Sequence, residues 1–63
     1  MAVTEELFLT VEELSLAGNP VRIIARADNV TVAQGAFVAA CEALPNRWLR
    51  LRNRALVVAE RKP

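Results

Sequence analysis

Apolar residues fall along the 63-residue chain in four stretches that differ in spacing. In the first, Leu7, Leu9 and Val11 alternate as in a strand, but Glu12-Glu13 breaks the phase before Leu14 and Leu16 resume on the other parity. A helix accounts for that break. Thr10 is a good N-cap, Glu13 three residues on completes a capping box, and Leu9 and Leu14 occupy the two positions of a hydrophobic staple. Gly18 suits the residue just past a helix, and Pro20 prevents continuation. The spacing predicts a short helix over 11–17, with a hairpin turning at Gly18-Asn19 as its rival.

The second stretch reads as a strand over 21–27. Val21, Ile23, Ala25 and Ala27 face one side and Arg22, Ile24 and Arg26 the other. Asp28-Asn29 ends it. Thr31 then caps a long helix, Gln34 completes a second capping box, and Pro45-Asn46 stops it, giving a helix over 32–44. Its core face is Ala33, Phe37, Ala40 and Leu44. Its polar residues, Gln34 and Glu42, form only a narrow stripe, and a helix apolar around most of its girth is one buried on more than one side. Alanine is also the best helix former, so burial is not the only explanation of that composition.

The last stretch predicts a hairpin over 48–60. A three-residue loop at Arg52-Asn53-Arg54 pairs Leu51 with Ala55 and Leu49 with Val57, keeping one face apolar, and buried faces are what set register. Arg54 then takes the left-handed loop position usually given to glycine. Trp48, Arg50, Leu56 and Val58 fall on the opposite face. The whole predicts a single small α+β domain spanning 1–63, a short helix, strand, long helix and β-hairpin, with the long helix packed on a three-stranded sheet. If the strands flanking the long helix are parallel, their crossover is right-handed.

Composition adds a constraint on stability. A chain of this length buries only about 60% of the surface its unfolded form exposes. Small domains compensate with disulfides, a metal or oligomerisation. One cysteine, Cys41, and no histidine leave no intramolecular disulfide and a poor zinc site. Oligomerisation remains, and the expectation is a homo-oligomer with no cofactor or metal. No basic region precedes an apolar N-terminal stretch, and no apolar run approaches the roughly 20 residues that span a bilayer. The expectation is a cytoplasmic protein with no membrane association.

Charge changes the picture further. Residues 1–16 carry Glu5, Glu6, Glu12 and Glu13 and no basic residue, while residues 47–62 carry Arg47, Arg50, Arg52, Arg54, Arg61 and Lys62 against Glu60. The simplest explanation is that the two ends neutralise each other, within a chain or between chains; the acidic segment would then cover the basic face. Catalytic groups are sparse. There is no His or Tyr, Ser15 is the single serine, and the adjacent glutamates point apart on a helix, so no enzyme is expected. The candidate partner-binding residues are Arg22, Arg26, Trp48, Arg50, Arg52, Arg54, Leu56 and Val58. Arginine and an aromatic suit nucleic acid, but the interleaved Ile24, Leu56 and Val58 and the near-neutral net charge favour a protein partner. The resulting expectation is a non-enzymatic protein-interaction module, with nucleic-acid binding by the basic hairpin as the alternative.

Overall fold

A computed structural model describes residues 9–63. Leu7, Glu5 and Glu6 lie outside the described residues. Four strands and one helix follow in the order β1 (Leu9–Leu14), β2 (Pro20–Ala27), α1 (Val30–Ala43), β3 (Trp48–Asn53) and β4 (Leu56–Arg61). The fold is α+β, one helix packed against a four-stranded antiparallel sheet ordered β2-β1-β3-β4. The fourth strand corrects the expected three. β2 and β3 run in the same direction on either side of β1, and α1 carries the chain from one to the other.

The extra strand is the segment expected to be a helix over 11–17. Leu9–Leu14 is instead the inner strand between β2 and β3; the rival hairpin forms, but its connection spans 15–19 rather than turning at Gly18-Asn19. Ser15 organises the turn: its N–H donates to Asn19 O (2.8 Å), its carbonyl accepts from Gly18 N–H (2.9 Å), and its Oγ accepts from Asn19 N–H (3.2 Å). Gly18 has φ 89°, so the position favours glycine for its backbone, and a Cβ there would stand in contact with the Trp48 ring, 3.4 Å from Cη2. The apparent capping box arose because Glu12 and Glu13, adjacent in a strand, point to opposite faces and are each matched by arginines from neighbouring strands.

α1 begins earlier than expected. Asn29, not Thr31, is the N-cap; it is extended (φ −140°, ψ 130°), and its side chain accepts from Val32 N–H at 3.1 Å. This leaves Thr31 as a first-turn residue. The expected core face is found: Ala33 and Ala40 are buried, with Phe37 and Leu44 partly buried against the same core. Only this side is covered. Val30, Val32, Gly35, Val38 and Ala39 are exposed. The remaining core comes from Leu9 and Val11 of β1 and Leu49 and Leu51 of β3. Leu49 and Leu51 are fully buried, as the alternation in the hairpin required.

The far half of that hairpin follows a different register. A two-residue turn at Arg54-Ala55 pairs Asn53 with Leu56 and Arg52 with Val57, and Val58 is then the extra residue of a bulge before Leu51 pairs with Ala59. Arg54 does adopt the left-handed conformation (φ 56°). The bulge restores the phase that the shorter turn loses. Ala55 and Val57 are therefore not core: Ala55 lies in the turn, and Val57 shares the face of Arg52 and is 43% exposed.

Candidate functional site

The helix covers one face of the sheet and leaves the other open. Cross-strand partners share a face, so the open face carries Thr10, Glu12 and Leu14 of β1, Trp48, Arg50 and Arg52 of β3, Ile23 and Arg26 of β2, and Val57 and Glu60 of β4. At its centre Glu12 is only 2% exposed although no helix lies over it. Arg50, directly opposite on β3, places Nε 2.8 Å and Nη2 2.7 Å from Glu12 Oε2, and Arg52 Nη2 stands 3.1 Å from Oε1. The guanidiniums form a lid over the carboxylate. Both oxygens are satisfied, which offsets the cost of withdrawing the charge from water.

Glu13 points the other way and is held between Arg22 Nε (2.8 Å) and Arg47 Nη1 (2.6 Å). The hydrogen bond from Arg47, then that from Arg22, holds its carboxyl below the ordinary 4.5, overcoming the opposing effect of burial. Trp48 is fixed at three points. Its Nε1–H donates to Glu60 Oε2 at 2.6 Å, its ring rests on Gly18, and Lys62 Nζ lies 5.5 Å from the ring centroid. Arg61 reaches across to the end of α1, donating to the carbonyls of Leu44 (2.5 Å), Arg47 (3.0 Å) and Cys41 (3.4 Å). It satisfies acceptors that a helix C-terminus otherwise leaves open.

The charge gradient along the sequence is thus partly compensated within the chain: Glu12 pairs with Arg50 and Arg52, and Glu13 with Arg22 and Arg47. The eight candidate residues do not form one patch. Trp48, Arg50 and Arg52 are together on the open face. Arg22 and Arg26 belong to β2 at one edge of the sheet, and Leu56 and Val58 to β4 at the other, with β1 and β3 between them. Arg22 lies on the helix side with Glu13, and Ile24 is a bulge residue packed partly against the core. Leu56 shares the face of Asn53 rather than that of Trp48. Arg54 stands in the turn, exposed and in no ion pair among the described residues. Sequence reasoning missed Glu12 and Glu13 as organising residues. The signal was present in their adjacency, since in a strand each needs its own cationic partner on its own face.

Among the described residues no pocket opens, and no three His, Cys, Asp or Glu side chains gather where a metal could be held. No helix among them is long and apolar enough to cross a membrane. No protein-family model matches the chain, and comparisons with curated proteins and with solved structures find no match either.

Proposed function

We propose that this chain is a small non-enzymatic protein-interaction module that works as a homo-oligomer. The observation that carries the reading is the distribution of apolar surface. Val30, Val32 and Val38 on the outer side of α1, Val21 and Ile23 on β2, and Leu56, Val57 and Val58 on β4 are each at least 40% exposed. Exposed apolar surface of this extent on a small domain marks interaction sites, and a two-layer unit of this size gains stability by covering it. Oligonucleotide binding has less support, because Arg22, Arg47, Arg50 and Arg52 already hold carboxylates and offer little free charge to phosphate. Sedimentation velocity across a micromolar dilution series tests the proposal. Concentration-dependent self-association is expected. A monomer throughout, combined with oligonucleotide binding that weakens steeply with salt, would replace it with the nucleic-acid reading.

A further inference from the structure

The two edges of the sheet are not equivalent. β2 opens with Pro20, carries bulges at Val21 and Ile24, and is studded with Arg22 and Arg26. These are the devices that prevent an edge from pairing with another strand. β4 has no proline and one bulge, and its exposed apolar residues run Leu56 (67%), Val57 (43%) and Val58 (40%). The helix packs across β1, β2 and β3 and leaves β4 with little cover. Among the described residues, this strand therefore has no neighbour on its outer edge and little helix above it.

We infer that β4 pairs antiparallel with β4 of a second copy, joining two sheets into one of eight strands; this rests on the homo-oligomeric reading above and names its surface. Charge selects the register. Centred on Val57, the pairing sets Leu56 beside the partner's Val58 and brings Glu60 opposite the partner's Arg54. Among the described residues Arg54 is exposed and in no ion pair, and Glu60 uses only Oε2, on Trp48, leaving Oε1 with no partner. One residue further along, centred on Val58, Arg54 would instead meet the partner's Lys62, and like charges directly opposite are destabilising. The strand is about 20 Å long at roughly 3.4 Å per residue, and the molecule is 16 Å deep along its shortest axis. The interface is therefore at the small end of specific ones, and the dimer dissociates on dilution in the micromolar range.

The test is sedimentation velocity on the full chain and four variants, with circular dichroism to confirm folding. Leu56→Lys, a charge on the exposed edge, abolishes association. Arg54→Glu and Glu60→Arg each weaken it by about tenfold through like-charge contacts, and the Arg54→Glu/Glu60→Arg double variant recovers it. Should Glu60→Arg misfold for want of its Trp48 bond, Leu56→Lys and Arg54→Glu decide the matter. A dimer insensitive to both refutes the β4 interface while leaving the homo-oligomeric reading standing. A wild-type chain monomeric at every concentration removes both.

Discussion

Replacing Glu12 with Gln removes one charge from the middle of the sheet and almost nothing else, since the side chains match in size. The remaining carbonyl oxygen can still accept from one arginine, but the new amide N–H₂ faces a guanidinium that also only donates. Three close N–O contacts are involved, two from Arg50 and one from Arg52. Hydrogen bonds to charged groups contribute about 1.5–3 kcal/mol each. The arginine side chains are 21% and 36% exposed, so each recovers water when its partner is lost. The net cost is therefore nearer one such bond than three, about 2–3 kcal/mol. A domain of this length has about 3–9 kcal/mol in total, and each 1 kcal/mol moves Tm by about 4–8 °C, so a fall of about 10–20 °C is expected. Urea and thermal unfolding at fixed protein concentration measure it, with Trp48, the single tryptophan, as a fluorescent reporter on the same face. Arg50→Met supplies the second side of a double-mutant cycle, and the coupling should be about 1–3 kcal/mol. A stability loss under about 0.5 kcal/mol, with no coupling to Arg50, would refute a buried Glu12 carboxylate at the centre of the sheet.

Three further outcomes follow from the same geometry. Leu51→Ala, at a fully buried site between β1 and β4, should cost about 2–5 kcal/mol in urea unfolding, and a cost near zero would place the core elsewhere. Glu13 has its folded carboxyl held below 4.5, so its stabilisation is fully present above that pH and is lost as pH falls towards the lowered folded value. Urea midpoints should drop below pH 4.5 in the wild type and drop less in Glu13→Gln; equal slopes in the two would contradict the pairing with Arg47 and Arg22. Arg61→Met keeps the aliphatic stem but releases the carbonyls of Cys41, Leu44 and Arg47. It should cost about 1–2 kcal/mol, and hydrogen exchange should quicken first in the last turn of α1.

What was legible in the sequence had a clean period. The long helix followed from the cap and breaker residues that bracket it, and Ala33, Phe37, Ala40 and Leu44 were its core face because no irregularity interrupts Val30–Ala43. Leu49 and Leu51 were legible because β3 alternates without a break. Alternation failed in β2 where bulges at Val21 and Ile24 each reverse the parity that follows. In the C-terminal hairpin it failed at the turn, which has two residues where a three-residue loop was expected. Val57 was therefore assigned to the core and Leu56 to the face of Trp48, and the Val58 bulge then restores the phase. The candidate site fared less well, because its residues were grouped by sequence proximity while the sheet order separates β2 from β4 by two strands.

β1 shows most directly how charge is used in this fold. An inner strand with two adjacent glutamates is tolerable only if each face supplies cations, and the faces are supplied from different parts of the chain. Arg50 and Arg52 reach Glu12 on the open side, while Arg22 and Arg47 reach Glu13 on the other. A one-residue slip of β1 would turn Leu9 and Val11 out of the helix-facing core and set Glu12 beneath α1, away from Arg50 and Arg52. Apolar burial alone already opposes that slip, and the two ion-paired carboxylates oppose it again on both faces at once. The acidic pair that resembled a helix start in the sequence is thus what holds the inner strand in register between β2 and β3. That role engages Arg50 and Arg52, two of the three arginines that gave the hairpin its appearance of a nucleic-acid surface.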